Sequence, residues 1–196
     1  MPGWSSCANS MRRGFKAETE RRAEAARKGL GLAPTAKLCP WIYADCLGAY
    51  VLGADELDLP PVHAKQLLDR DPDSWSGMTL AEDGIFLVVL NSSQSRRRQA
   101  ATLMHEIAHH ILEHVPASVQ VSASGLVLLS DYSDDQEEEA DWLGGALLLP
   151  QVALLQHRSL GSTPSEIAQH FGVSEDLAQW RCRMTGVERR MAFRAR

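Results

Sequence analysis

The sequence predicts an α+β fold in which helices dominate. A strand–turn–strand pattern lies near its middle, where residues 75–80 and 85–91 flank the turn-like Glu82-Asp83-Gly84. Stretches rich in helix-forming residues lie on both sides of this hairpin, and the sequence contains no internal repeat. The 196 residues, of which 44% are hydrophobic and 23% charged, are sufficient for one globular domain with its own core.

The N-terminal third is predicted to be helical after a frayed tail at residues 1–9. Residues 10–30 are rich in Ala, Arg, Lys and Glu, which favour a helix. A thin apolar stripe predicts that this helix lies on the surface. The stripe consists of Phe15, Ala23, Ala26 and Leu30. A second helix is expected over residues 41–52, and a short one over residues 62–68 follows the Pro60-Pro61 breaker.

The central segment is predicted to hold the sheet and two long helices. The second strand of the hairpin is apolar on both faces, so we expect it inside the sheet or under a helix. Cap-type residues at 91–95 open a helix that extends to about Glu113. In the stretch 117–133, which has no clear pattern, only residues 126–129 favour a strand. The next helix covers residues 134–149 and ends before a proline.

The C-terminal region carries paired start and stop signals for helices. Residues 163–166, TPSE, combine an N-cap threonine, a proline at the first helical position and a capping-box glutamate. Gly172 ends that helix, Ser174 caps the next one, and Gly186 ends it. These signals predict a closing helix pair with helix-turn-helix proportions.

Composition and charge exclude several classes of protein. Lys and Arg total 20 against 25 acids, so the net charge of -5 argues against extensive nucleic-acid binding. The longest apolar run, residues 85–90, is too short to span a bilayer. The N-terminus has no apolar segment typical of a secretory signal, so we expect a cytoplasmic protein. The cysteines form no CxxC motif, which predicts reduced thiols; they are Cys7, Cys39, Cys46 and Cys182.

The central long helix contains the motif His105-Glu106-Ile107-Ala108-His109, an HExxH. On a helix, positions i and i+4 differ by about 40° in azimuth, so both imidazoles project from one face. Two ring nitrogens in this arrangement can share one zinc ion. Glu106 lies about 100° around from His105, where it can act as general base on water but not as a third ligand.

The remaining histidines near the motif do not supply the third ligand that the metal needs. The metzincin pattern would require glycine and histidine at positions 112 and 115. The chain has Leu112 and Val115 there, which excludes that pattern. His110 and His114 lie about 140° and 180° around the helix from His105, so we expect them to face solvent or to lie in the second sphere.

An acidic helix further along the chain offers the third ligand. Glu137 and Asp141 stand at i and i+4, so the glutamate can bind the metal while the aspartate accepts the free N–H of a ligating histidine. Glu138 and Glu139 are the alternative ligands. The competing interpretation is a solvated helix N-terminus, where acids interact favourably with the helix dipole.

Three segments in this order resemble the ImmA/IrrE family of metallopeptidases, small zincin-fold proteins of bacteria and their mobile elements. They are TLMHEIAHHIL, EEEADWLGGALLLP and IAQHFGVSEDLAQWR, and the resemblance covers residues 79–186. The family's E-x-x-A-N/D…LLMP segment places its leading glutamate on Glu137. The sequence departs from the family at Ala108, often glycine there, at Leu149, usually methionine, and at Gly144-Gly145.

The resemblance implies a zincin-like fold. Its parts are a small antiparallel or mixed sheet, the HExxH helix, a glutamate helix and a closing helix pair. We expect residues 1–74 to form a helical region, residues 75–160 the catalytic core, and residues 161–196 the closing pair with a basic tail. A single compact domain is the expected organisation.

The expected function is that of a gluzincin-like metallo-endopeptidase. Zinc is the metal expected for two histidines and a glutamate, with manganese as the alternative. Tyr132 and His157 are the candidate donors to a tetrahedral oxyanion. The resemblance implies that the substrate is an XRE-like helix-turn-helix transcriptional repressor, which is cut once to release its operator. It also implies that the protein acts in a stress response or belongs to a mobile element.

Two alternatives from other classes remain open. A metal-bound but catalytically silent protein could bind a partner, as one half of a toxin–antitoxin-like pair does. A DNA-binding regulator could use the closing helices, but Glu175 and Asp176 begin the second of them and would repel phosphate. Direct DNA binding and a membrane partner are therefore not expected.

Overall fold

The computed structural model describes residues 11–82, 84–116, 118–121, 127–130 and 132–194. Within these residues the chain forms helices and one mixed sheet, which confirms the predicted α+β class. The helices are α1 (Phe15–Gly29), α2 (Pro40–Cys46), α3 (Pro61–Lys65), α4 (Arg96–Ile111), α5 (Asp134–Leu148), α6 (Gln151–Ser159), α7 (Pro164–Phe171), α8 (Glu175–Met184) and α9 (Val187–Arg194). The strands are β1 (Ala49–Gly53), β2 (Gly77–Glu82), β3 (Ile85–Leu90), β4 (Ser118–Val121) and β5 (Val127–Ser130).

The chain divides into two compact units. One spans Cys39–Glu137 and contains the sheet; the other combines Met1–Leu38 with Glu138–Arg196. The division into three segments at residues 74 and 160 stays a prediction. The frayed tail expected at residues 1–9 lies outside the described residues.

The sheet of the Cys39–Glu137 unit has the strand order β1-β3-β2-β5-β4. Strands β2 and β3 form the predicted hairpin, in antiparallel register from Gly77↔Leu90 to Glu82↔Ile85. Strand β1 pairs in parallel with β3 on its other side. The doubly apolar β3 is therefore an inner strand, as expected, and Val88 in its centre is fully buried.

Two stretches of the sheet differ from the sequence-based expectations. The helix expected over residues 41–52 is wrong in its second half, because α2 ends at Cys46 and β1 begins at Ala49. Gly48 between them has a φ of 76°, a left-handed conformation that turns the chain out of the helix. Strand β5 agrees with the strand favoured near 126–129, and β4 is an additional strand that no pattern predicted.

Helix α4 packs against β2 and β3 and begins at a side-chain cap. Ser95 Oγ accepts a hydrogen bond from the backbone N–H of Arg98, which confirms the predicted start. The helix lies so close to β2 that a Cβ atom on Gly77 would be 2.7 Å from Thr102 Cγ2. Glycine at this strand position therefore allows α4 to approach the sheet. Leu103 is fully buried, as expected for the core face of the helix.

In the second unit, α1 is buried along one face and exposed along the other, which agrees with the expectation of a surface helix. Phe15 and Ala23 are 1% and 0% exposed. Thr19 and Arg27 are buried on the same face. Together with Phe15 and Ala23 they recur every four residues along the helix. The buried face is therefore wider than the predicted apolar stripe, because two of its members are polar.

Two buried arginines, Arg27 and Arg181, bind the C-terminal end of α5. Arg27 Nη2 donates to Leu147 O at 2.8 Å, and Arg181 Nε donates to Leu149 O at 3.0 Å. Because α5 has no basic residue in its own last turn, these two side chains satisfy its terminal carbonyls. The Glu20 carboxylate accepts a hydrogen bond from Arg181 Nη2 at 2.5 Å. Burial lowers the pKa of Arg27 to about 10.

The closing helices confirm the predicted caps. Thr163 and Glu166 form the reciprocal capping box of α7, Gly172 ends α7 with a φ of 73°, and Ser174 caps α8. Helix α8 lies against Gly145 of α5, where a Cβ atom would be 3.0 Å from the nearest side-chain atom of α8. Among the described helices, none combines the length and the apolar character that crossing a bilayer requires.

We expect Arg181→Met to lower the free energy of unfolding by about 3 kcal/mol, because the Leu149 carbonyl and the Glu20 carboxylate lose a buried donor. Urea denaturation followed by circular dichroism measures this change. Arg183→Met is the matched control, since Arg183 lies two positions along the same helix and is exposed. It should change the free energy of unfolding by less than about 0.5 kcal/mol. Equal losses in the two variants would contradict the buried role of Arg181.

Candidate metal centre

Three side chains from two helices converge within the Cys39–Glu137 unit. His105 and His109 project from α4, and Glu137 projects from the first turn of α5. The two Nε2 atoms lie 3.0 Å apart. Glu137 Oε2 lies 3.0 Å from His105 Nε2, and its Oε1 lies 3.8 Å from His109 Nε2. The predicted arrangement of HExxH plus a downstream glutamate is therefore present.

The spacing of these donor atoms fits a small tetrahedral metal ion. Zinc bonds of 2.0–2.1 Å place neighbouring tetrahedral ligands about 3.3 Å apart. The observed separations of 3.0, 3.0 and 3.8 Å bracket this value. Two imidazole nitrogens and one carboxylate oxygen also form the donor set of many catalytic zinc sites. The three side chains therefore form a possible metal-binding group.

His109 is the most buried of the three side chains, and burial keeps its imidazole neutral. Its side chain is 3% exposed, against 22% for His105 and 46% for Glu137, so the group opens toward solvent on the glutamate side. Burial, together with the nearby rings of His105 and His114, lowers the pKa of His109 to about 2. The imidazole of His109 is therefore neutral at physiological pH, which is the form that binds a metal.

The start of α5 holds Glu137 in place through two contacts. Ser133 and Gln136 form a capping box: the Ser133 hydroxyl accepts from the Gln136 backbone N–H, and Gln136 Oε1 accepts from the Ser133 backbone N–H. The Gln136 amide also donates to Val115 O at 3.1 Å, which ties the helix start to the segment that follows α4. These contacts fix the position of the first turn, where Glu137 lies.

Glu106, the predicted general base, points from α4 toward the sheet. Thr79 on β2 is 2% exposed, and its hydroxyl donates to Glu106 Oε2 at 2.5 Å. Burial raises the pKa of Glu106, and the negative charge of Glu137 adds to this effect. The bond from Thr79 and the adjacent His105 act in the opposite direction. The carboxyl group is thus held at one oxygen by a buried hydroxyl.

Tyr132 lies against the group from the segment before α5. Its ring stacks on the ring of His109, with 3.8 Å between the centroids and an interplanar angle of 24°. Burial, followed by the charges of Glu106 and Glu137, raises the pKa of Tyr132 to about 12. The hydroxyl is therefore protonated at neutral pH and can donate a hydrogen bond.

The structure places the other predicted residues as follows. Glu137 is the member of the glutamate run that joins the two histidines, while Glu139 lies 3.7 Å from Arg12 in an ion pair. Asp141 is half-buried, one turn along α5 from Glu137, and its role as an acceptor stays a prediction. His157 belongs to the other unit, where its ring contacts His170 and Phe171. Its role as an oxyanion donor also stays a prediction.

Two neighbours of the group reach it in ways that the sequence patterns did not predict. Thr79 carries no sequence signal, because the strand that presents it is far along the chain from Glu106. His114 was expected to lie about 180° from His105, but α4 ends at Ile111. Its Nδ1 lies 3.0 Å from Nδ1 of His109, a predicted ligand. Of the two positions expected for His114, this is the second-sphere one. His110 stacks on Phe86, with the ring centroids 4.1 Å apart. It is exposed, which agrees with the solvent-facing position that was one of the two expected for it.

Comparison with known families agrees with this geometry. The family model described as the IrrE N-terminal-like domain, Peptidase M78, matches residues 76–183. This range is more than half of the chain and includes the HExxH helix, Glu137 and the closing helices α7 and α8. No curated protein matches the chain. The family supports a metallopeptidase-type function, and the His/His/Glu group suggests a metal. The chain therefore belongs to the Peptidase M78 family, with an IrrE N-terminal-like domain.

Proposed function

We propose that the protein is a zinc-dependent endopeptidase that makes a limited, regulatory cut in a helix-turn-helix transcriptional repressor of the XRE-like type. One observation carries the peptidase part of the proposal. His105, His109 and Glu137 present three donor atoms within 4.8 Å of one another, and Glu106 stands between the two histidines in the sequence of the same helix. The repressor part rests on the resemblance to the ImmA/IrrE family.

Zinc is the proposed metal, held by the Nε2 atoms of His105 and His109 and by the carboxylate of Glu137. Manganese is less suited to a site with two imidazoles, although its availability in the cell can override intrinsic affinity. When bound, the metal supplies Lewis acidity, which lowers the pKa of water and polarises a peptide carbonyl. The opening on the Glu137 side gives a substrate access to this group.

Glu106 is the proposed general base and acid. Its carboxylate accepts a proton from the attacking water as the new carbon–oxygen bond forms. It then returns this proton to the leaving amine when the carbon–nitrogen bond breaks. The hydroxyl of Thr79 holds Oε2 of Glu106, so that proton transfer is assigned to the other oxygen.

Tyr132 is the proposed donor to the oxyanion of the tetrahedral intermediate. A donor for this task must remain protonated and lie beside the site. The raised pKa of Tyr132 and its stacking on His109 meet both requirements. Tyr132 is thus better supported for this role than His157, whose described ring contacts lie on α7.

The proposed recognition of the repressor has two parts. A locally unfolded segment of the substrate adds to an edge of the sheet through backbone hydrogen bonds, and β4 is the edge strand on the side of β5. Because such bonds discriminate poorly between sequences, specificity comes from docking elsewhere. We nominate α7, α8 and the basic C-terminal arm, to which Arg189 and Arg190 contribute exposed cations.

The metal site predicts about one zinc ion bound per purified chain. His105→Ala and His109→Ala should abolish this binding, and Glu137→Ala should weaken it severely, because each removes one donor. Asp141→Ala should cost roughly 10- to 100-fold in affinity, as the loss of an outer hydrogen bond does. Metal analysis and competition with a chromophoric chelator measure both quantities.

Glu139→Ala is the matched control for Glu137→Ala, since it removes the same charge two positions along α5 and should leave zinc affinity nearly unchanged. Glu138→Ala should behave in the same way. A uniform response of the three glutamate variants would mean that the acidic run is only a solvated helix start.

The zinc-loaded protein should cut the repressor encoded beside its own gene at one place and turn over casein poorly. Glu106→Gln should retain zinc and lose nearly all cleavage, because only the proton carrier has been removed. Gel electrophoresis and mass spectrometry of the fragments measure the cut. Rapid degradation of casein with the repressor left whole would contradict the regulatory function. Zinc binding without any cleavage would favour a silent partner-binding protein instead.

A further inference from the structure

The two ring nitrogens of His109 have different neighbours. Nε2 faces His105 Nε2 at 3.0 Å and belongs to the proposed metal-binding group. Nδ1, on the other side of the ring, lies 3.0 Å from Nδ1 of His114. The two rings are inclined at 73° with their centroids 5.0 Å apart, a T-shaped contact rather than a stack. A ring–ring contact of this geometry at hydrogen-bond distance leaves one nitrogen as donor and the other as acceptor.

The backbone after α4 brings His114 to this position. The helix ends at Ile111, and Glu113 adopts a φ of 54°, the one positive value for a non-glycine residue among the described residues. The N–H of His114 then donates to His109 O at 3.1 Å, so the chain folds back over the end of α4. This bond and the ring contact join the same two residues. A left-handed glutamate is a strained conformation that the surrounding contacts must hold.

We propose that His114 is a positioning residue that holds the imidazole of His109 in the tautomer required for metal binding. The inference rests on the proposed metal site. A ligating Nε2 must present a lone pair, so the ring hydrogen of His109 must be on Nδ1. Nδ1–H then donates to His114 Nδ1, which acts as the acceptor. The ring hydrogen of His114 is consequently on its own Nε2.

Within the part of the chain that the structure describes, the contacts of His109 assign this task to His114. The ring of Tyr132 stacks on the face of His109 and limits its tilt, but a stacked ring does not select a tautomer. The side chain of His109 is 3% exposed, so bulk water is not a ready acceptor for Nδ1–H. Outer hydrogen bonds of this kind orient a ligating imidazole and raise its basicity. His114 therefore takes, for His109, the kind of role that the sequence assigned to Asp141.

The test compares zinc affinity in three variants. His114→Ala removes the acceptor and should weaken zinc binding about 10- to 100-fold. His114→Asn can place its side-chain oxygen near the position of Nδ1 and should restore most of the affinity. His110→Ala is the matched control, since His110 is the neighbouring exposed histidine on Phe86 and should leave the affinity unchanged. Competition with a chromophoric chelator measures affinity, and melting of the metal-free forms reports whether each variant folds.

A second readout does not depend on mutation. Long-range ¹H–¹⁵N correlation spectra of the zinc-loaded protein report which nitrogen of each histidine carries hydrogen. We expect hydrogen on Nδ1 of His109 and on Nε2 of His114. Hydrogen on Nδ1 of His114, or equal zinc affinities for His114→Ala and the unmodified protein, would overturn the role of His114 alone. A failure of the unmodified protein to bind zinc would overturn the metal site and this inference together.

Discussion

The packing of α4 against β2 is the contact on which the candidate site depends. Gly77 has no side chain, so Thr102 Cγ2 can lie only 2.7 Å from the position that a Cβ atom would take. At this short separation the hydroxyl of Thr79, two residues along the strand, reaches the carboxylate of Glu106. His105 and His109 project from the same helix and meet Glu137. A larger residue at position 77 would therefore move Glu106 and both imidazoles together.

Helix α5 holds the carboxylate of Glu137 in its first turn. Ser133 and Gln136 satisfy its first N–H groups, and these groups also favour a carboxylate in the first turn. At the other end, Arg27 and Arg181 satisfy the carbonyls that the helix leaves unpaired. Because side chains secure the first turn, the position of Glu137 is set by the start of the helix and not by a flexible loop.

The sequence predicted the features that depend on residues close together along the chain. The spacing of His105 and His109 on one helix, the hairpin and the caps of α7 and α8 follow from neighbours within a few residues, and they agree with the structure. The helical spacing to Asp141 and the family resemblance both favoured Glu137 among the three glutamates, and the structure places Glu137 beside the two histidines. Thr79 and Arg27 could not be predicted, because their partners lie far away in the sequence. Strand β1 was missed because its partner strand, not its own pattern, makes it a strand.

His114 shows a different limit, since its partner is only five residues away. Its predicted direction assumed that α4 continues, whereas a left-handed Glu113 reverses the chain after Ile111. A non-glycine residue in that conformation is costly, and so is an imidazole kept away from water. Both features occur at the end of α4, where the left-handed turn places the ring of His114 against the ring of His109. Local structure that departs from the usual rules is expected at functional sites. Here it lies beside the buried imidazole of His109 and the carboxylate of Glu137.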